Sequence, residues 1–250
     1  MSEPRLIRRC VFPCLFLALA ILLNGASGHA QQVVPPAPPQ MTPPAPPPQM
    51  TPAGGMPAIR MVAPGMFEIG GCTIDKAANR VTFAASVNMT EGLLEYALVG
   101  MAGKLHESLL RTEVEPYPLQ IALLLMGLEG SPNHLAFQGE NKMPEGDAVR
   151  VRVALPVKEG KAEEIPIENW IMVNEARPGD IPWIFTGSMI NNGVFAAQME
   201  KSIIAVYHDP AAMIDHRRPG GESDEVWFVN KQAVPPVGTP VTVIIEKITK

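Results

Sequence analysis

The chain has 250 residues and a formal net charge of −5, and this length predicts one or two domains. No strong basic cluster lies beyond residue 30. Because a nucleic-acid-binding surface needs concentrated positive charge, a nucleic-acid partner is excluded.

The first 30 residues predict a secretory signal peptide. Arginines precede a 13-residue apolar run at 11–23, and Gly28 and Ala30 predict cleavage before Gln31. The run is shorter than the roughly 20 residues that cross a bilayer as a helix. We therefore expect an exported protein, periplasmic or extracellular, with no stable membrane span after cleavage; an uncleaved anchor is the alternative.

Removal of the signal peptide changes the net charge to −7 and leaves Cys72 as the only cysteine. A single cysteine cannot form an intramolecular disulfide. We expect Cys72 to be a small buried apolar residue. An exposed thiol that pairs between two chains is the alternative.

Residues 31–59 predict a disordered, proline-rich linker. The unit PPAPP(P)QMT occurs twice, and no charged residue lies between Gln31 and Ile59. Such a segment favours extended polyproline II structure and cannot bury a core. It is interpreted as a spacer, with a PxxP docking ligand as the alternative, and residues 60–250 are expected to form a single globular domain.

The first half of this domain predicts strands and one helix. RVTFAASV (80–87) has strand composition, and the runs 92–99 and 104–112, joined by a glycine-bearing loop, predict a β-hairpin. Residues 115–130 predict a helix that begins near Pro116 and ends at Gly127 or Gly130. Because its centre is apolar on every side, the helix should be buried; a buried strand is the alternative.

The second half returns to strands. The run 147–157 alternates valine with arginine, and the runs 182–190 and 194–198 flank the turn signal Asn191-Asn192-Gly193. The runs 201–208 and 240–248 bring the total to at least seven strands. The sequence therefore predicts an α+β fold, a mainly antiparallel β-sheet domain with one buried helix.

The stretch GKLHESLLRT (103–112) holds the candidate binding residues His106, Glu107 and Ser108. On a regular strand Glu107 would share a face with leucines and His106 would share the other face with Ser108. A carboxylate on the leucine face needs a partner or a raised pKa. We therefore expect loss of Glu107 to destabilise the fold more than loss of His106. A paired charge at the sheet rim and a functional carboxylate both remain open.

A second polar concentration spans residues 207–228. His208 and Asp209 are weak candidate metal ligands there, and Asp224 and Glu225 are further candidate binding residues. The spacing matches no calcium-binding loop, and an ordinary polar surface loop is the alternative. Separately, Asn88-Met89-Thr90 is a formal glycosylation sequon.

Five stretches carry a family resemblance: GLLEYALVGMAGKLHESLL (92–110), EPYPLQIALLLMGLEG (115–130), PWIFTGSMI (182–190), SIIAVYHDPAAMID (202–215) and DEVWFVNKQAVPPVGTPVTVII (224–245). Over roughly residues 66–247 the chain resembles the YdjY-domain family. The resemblance implies an exported bacterial protein of the planctomycete type and no established activity.

The resemblance also adds weight to His106, Glu107 and Ser108, with Trp183, Gly187 and Trp227 as neighbours. Some family members carry an iron–sulfur label. Such a cluster needs several cysteine thiolates, so we expect none here, and the sequence specifies no other cofactor.

Two functional hypotheses follow. The first is a non-catalytic module that binds an unknown ligand or envelope protein. The alternative is a metal-assisted hydrolase that uses His106 or Glu107 with the loop at 208–225.

Overall fold

The computed structural model describes residues 57–156 and 163–249. The predicted signal peptide, and the linker up to residue 56, lie outside the described residues. The strands and helices are β1 (Arg60–Ala63), β2 (Met66–Ile69), β3 (Cys72–Asp75), β4 (Arg80–Val87), β5 (Tyr96–Gly100), β6 (Ser108–Thr112), α1 (Pro116–Leu125), β7 (Asp147–Ala154), β8 (Glu164–Pro166), β9 (Ile171–Val173), β10 (Trp183–Phe185), β11 (Ile190–Asn191), β12 (Val194–Phe195), α2 (Ala196–Glu200), β13 (Ser202–Ala205), β14 (Ile214–His216), β15 (Trp227–Val229) and β16 (Pro240–Lys247), with 3₁₀ turns at Leu105–Glu107 and Ile167–Trp170.

Eight strands close into a barrel in the order β4, β16, β7, β10, β14, β13, β5, β6 and back to β4. The pairs β5–β6 and β13–β14 are parallel, and the other neighbours in the ring are antiparallel. The prediction of a mainly antiparallel α+β sheet with a buried helix is therefore wrong: the protein is mostly β and its centre is a closed mixed barrel. Strand periodicity reports which residues are extended, but it does not report which strands pair.

The barrel interior is filled by the alternating apolar residues of its long strands. On β16 Val243 lies opposite Phe83 of β4 and Val153 of β7, and all three side chains are buried. Each such side chain contributes roughly 1.5–3 kcal/mol by leaving water. The period-two pattern at 80–87 and 147–154 therefore records the inner wall of the barrel.

The predicted hairpin between β5 and β6 is wrong, because these strands run parallel. Tyr96 is paired with Ser108 and Leu98 with Leu110. The connection bends through the 3₁₀ turn Leu105–Glu107, so His106 and Glu107 do not lie on a strand. The alternation of side chains along a strand, which predicted that Glu107 shares a face with leucines, therefore does not apply to these two residues.

Asn88 holds this turn in place. Its side-chain amide donates to the carbonyl oxygens of Leu105 at 2.6 Å and Ser108 at 2.7 Å. The nitrogen of this half-buried sequon asparagine is thus engaged in two hydrogen bonds in the folded protein.

Helix α1 begins at Pro116 as predicted, and Gly127 follows its end with a φ of 77°. It is buried on one face only. Leu119, Ala122 and Leu123 are buried, whereas Leu124 is 49% exposed, so complete burial of this helix was a wrong expectation.

Two smaller predictions are confirmed. Asn192 and Gly193 have positive φ angles and connect β11 to β12 as a short antiparallel hairpin beside the barrel. Cys72 is fully buried, and burial raises the pKa of its thiol to about 12. Across the described residues, no helix is both long and apolar enough to cross a membrane.

Candidate functional site

Four ionisable side chains are buried on the segment that joins β13 to β14 and on β14 itself. We call His208, Asp209, Asp215 and His216 the inner cluster; each is at most 4% exposed. Because β13 and β14 are parallel neighbours, the chain must turn back between them, and this return brings the polar residues inside. A buried polar group is costly unless it is hydrogen-bonded.

Asp215 is satisfied by backbone donors. Its carboxylate accepts the amide hydrogens of Asp209 at 3.2 Å and His216 at 2.7 Å. Burial raises the pKa of Asp215 to about 7; the charge of Asp209 adds to this effect, and His208 opposes it.

His216 is neutral, with its hydrogen on Nε2. Nε2 donates to the Val206 carbonyl at 2.8 Å, and Nδ1 accepts the backbone hydrogen of Arg218 at 3.0 Å. The ring packs between Trp183 and Trp227, at centroid distances of 5.7 and 4.8 Å. Burial, with the nearby Arg218 charge, lowers the pKa of His216 to about 3.

His208 lies between two carbonyl groups. Its Nδ1 is 3.1 Å from the Glu140 carbonyl oxygen, and its Nε2 is 3.1 Å from the His216 carbonyl oxygen. The same Nε2 is 3.8 Å from Asp215 Oδ1. The ring therefore connects the loop that carries Glu140 to strand β14.

His208, Asp215 and His216 could together be considered a metal site, because one ligand atom from each lies within 4.8 Å of the others. Their arrangement does not fit a metal well. Both nitrogens of His216 are engaged by the backbone, and Gly221 packs so closely that a Cβ there would be 2.1 Å from Nε2 of His208. Within the described residues, the polar atoms of these three side chains are occupied by hydrogen bonds to the protein. Asp209, which was predicted as a metal ligand together with His208, is not one of the three.

Tyr96 connects the inner cluster to the surface. Its hydroxyl donates to Asp209 at 2.7 Å and accepts a hydrogen bond from Lys104 at 2.8 Å. The side chain is fully buried, and burial together with the Asp209 carboxylate raises the pKa of Tyr96.

Around Lys104 lies a second group, the outer cluster, made of Glu95, Lys104, Glu107 and Gln138. The ammonium of Lys104 is 3.6 Å from Glu95 and 3.9 Å from Glu107. Gln138 donates to Glu95 at 2.9 Å and to the Tyr96 hydroxyl at 3.2 Å. Burial and the adjacent Glu95 raise the pKa of Glu107, and His106 and Lys104 oppose that shift.

The predicted binding residues of the HES stretch have separate positions. Glu107 belongs to the outer cluster, and the side chain of His106 is 79% exposed, 3.2 Å from Glu107. Ser108 is fully buried, and its hydroxyl donates to the Lys104 carbonyl at 2.6 Å. Of the three, only Glu107 is joined to the inner cluster, through Lys104 and Tyr96.

The other residues that the sequence analysis singled out also lie apart from one another. Asp224 and Glu225 are exposed on the loop before β15 and belong to neither cluster. Trp183 and Trp227, expected near the HES stretch, instead contact His216. Tyr96 and Lys104 were not predicted from the sequence, because a tyrosine and a lysine beside apolar strands carry no motif.

A cavity of about 10 Å³ lies against the inner cluster. Asp209 and Asp215 line it from one side, and Asn133, His134 and Glu145 line it from the loop before β7. A space of this size accommodates one water molecule.

Comparison with known proteins assigns the chain to a family. The model of the YdjY domain matches residues 72–246, well over half of the 250 residues. The chain belongs to the YdjY-domain family. Both clusters lie within the matched region. No curated protein and no solved structure matches this YdjY-domain chain.

Proposed function

We propose that this YdjY-domain protein is an exported, non-catalytic module that binds a ligand or an envelope partner through the outer cluster. One observation carries the proposal: two carboxylates, Glu95 and Glu107, lie together at the surface and share Lys104. Each is partly exposed, with 19% of its side chain accessible. Both therefore remain reachable by another molecule.

The chemistry of the outer cluster favours a positively charged group on the partner. The pKa of Glu107 is raised by burial and by Glu95, so the ionised pair is not fully compensated. A cation bound beside it would relieve this repulsion. The barrel and the two hydrogen bonds from Asn88 hold Glu107 in position, and a rigid site loses little entropy on binding.

The binding proposal is tested with a lysine-rich peptide as the probe and a glutamate-rich peptide as its counterpart. We expect the lysine-rich peptide to bind residues 31–250, and Glu107→Gln to weaken it by about tenfold, or about 1.4 kcal/mol. Glu225→Gln is the matched control, because it removes one charge from an exposed glutamate outside both clusters. Equal weakening by both variants would mean unspecific attraction and would contradict the proposal.

Metal analysis of the purified protein separates this function from a metal-assisted hydrolase. The closed geometry of His208, Asp215 and His216 supports the binding module. A stoichiometric, tightly bound transition metal would overturn it.

Export rests on the arginines, the apolar run and the small residues of the first 30 positions. We expect the intact mass of the exported product to correspond to a chain that begins at Gln31. Recovery of the full-length chain from a membrane fraction would make it an anchored protein instead.

A further inference from the structure

The two ring nitrogens of His208 both face hydrogen-bond acceptors. Nδ1 is 3.1 Å from the Glu140 carbonyl oxygen and Nε2 is 3.1 Å from the His216 carbonyl oxygen. A carbonyl oxygen only accepts, and a neutral imidazole donates from one nitrogen only. In either neutral form one nitrogen lone pair would therefore face an oxygen lone pair in a buried place. Only the doubly protonated ring donates to both.

The charged groups around His208 suit a positive ring. Asp215 places a carboxylate oxygen 3.8 Å from Nε2, and Asp209 lies next to it on the inner cluster. The ring of His216, at 5.4 Å, is held neutral by its own two hydrogen bonds. Arg218 lies beyond His216 and pairs with Glu168 at 2.6 Å. The Asp215 carboxyl group is thus the acidic partner of the His208 ring.

The Glu140 contact ties a particular loop to the barrel. We call residues 131–146 the cavity loop, because Asn133, His134 and Glu145 line the cavity beside Asp209 and Asp215. Backbone groups of this loop are hydrogen-bonded to the segments before and after β14. The Gly139 amide donates to the His208 carbonyl at 2.8 Å, and Arg217 donates to the Pro144 carbonyl at 2.7 Å.

We propose that His208 is a buried imidazolium cation that holds the cavity loop against β14, and that loss of its ring proton releases the loop. After that loss one of the two carbonyls has no donor, and the weaker attachment is the loop, because β14 is fixed by its neighbours in the barrel. Release opens the cavity to solvent at Asp209 and Asp215. It also lets Gln138, which is on the same loop, leave Glu95. This device goes beyond the proposed binding function and does not depend on it.

The first test is the protonation state of His208 near neutral pH, read by nitrogen NMR on protein labelled at histidine. We expect a hydrogen on both ring nitrogens of His208 and on Nε2 alone in His216. His106→Gln and His134→Gln identify the signals of the other two histidines of residues 31–250. A single hydrogen on the His208 ring would overturn the proposal.

The second test is hydrogen exchange of the cavity loop at roughly pH 6 and pH 9, corrected for the intrinsic rate. We expect the protection of the Gly139 amide to fall on the order of tenfold or more at the higher pH, with the amides of α1 unchanged. His208→Gln, which donates without a charge, should show the low protection at both pH values. His106→Gln, which changes an exposed histidine outside the cavity loop, should behave as the parent. If His208→Gln does not fold, the parent alone decides: unchanged protection of Gly139 while the ring proton is lost would refute the release step.

Discussion

Tyr96 and Asp209 are 113 positions apart, and the tyrosine hydroxyl donates a hydrogen bond of 2.7 Å to the aspartate. Both residues are buried. The contact exists because β5, which begins at Tyr96, pairs with β13, whose end leads into Asp209. It joins the outer cluster at the surface to the inner cluster inside.

We expect Tyr96→Phe to destabilise the protein. The change leaves Asp209 and Lys104 without the hydroxyl between them, and a buried polar group that loses its partner costs about 1–3 kcal/mol. Chemical denaturation measures the difference. Tyr207→Phe is the control, because that partly exposed tyrosine should change stability by less than about 0.5 kcal/mol. Equal stability of Tyr96→Phe and the parent would contradict the assigned network.

Asp215 and His216 should oppose each other in the pH dependence of stability. The folded pKa of Asp215 is raised from 3.8 to about 7, so its contribution is lost as pH rises through this range. The folded pKa of His216 is lowered from 6.5 to about 3, so its contribution is lost as pH falls through that range. Between pH 3.8 and 6.5 the two effects cancel.

Single substitutions should reveal each effect. His216→Gln leaves Asp215, and the free energy of unfolding should then fall with rising pH by up to about 1.4 kcal/mol per pH unit. Asp215→Asn leaves His216 and should give the opposite sign. Urea denaturation at several pH values measures both. Slopes equal to that of the parent in both variants would rule out the cancellation.

Gly221→Ala should be strongly destabilising. The new methyl group would lie 2.1 Å from Nε2 of His208, and overpacking of this kind costs about 1–3 kcal/mol or more. Gly65→Ala is a useful comparison, because that site has a φ of 77° but open space, so only backbone strain of about 1–2 kcal/mol applies. Thermal melts should rank Gly221→Ala as the less stable variant. The reverse order would mean that the ring of His208 is free to move.

Glu107→Gln should not produce the large loss of stability that a carboxylate paired on a leucine face would imply. The pKa of Glu107 is raised from 4.5 by burial and by Glu95, so ionisation of Glu107 opposes folding, and stability falls as pH rises through the folded pKa. Glutamine does not ionise, so the stability of the variant does not decrease in this way as pH rises. We therefore expect Glu107→Gln to match or exceed the parent at neutral pH in chemical denaturation, with His106→Gln unchanged. A loss of several kcal/mol in Glu107→Gln would show that Lys104 depends on this carboxylate.

The sequence by itself determined the family and most of the strands. The strand composition of 80–87 and the alternation in 147–157 correctly predicted β4 and β7. Asn192-Gly193 forms the predicted hairpin turn, and the resemblance to YdjY domains is confirmed. The strand and turn signals among these features are local. A side chain's preference for core or solvent, or a residue's preference for a positive φ, is expressed within a few positions and is therefore readable from the order of residues.

Only the tertiary structure decided the barrel and the clusters. Barrel closure depends on the contact of β4 with β6. His106 and Glu107 lie in a 3₁₀ turn and not on a strand, because the parallel strands β5 and β6 need a crossing connection between them. The pairing of β13 with β14 turned a segment that resembled a polar surface loop into the buried site of His208 and Asp215. Strand pairing is a choice among distant segments of similar propensity, and its energy depends on all of them together. For that reason His106, the most conspicuous residue of the HES stretch, faces solvent, while Tyr96, which no motif marks, joins the two clusters.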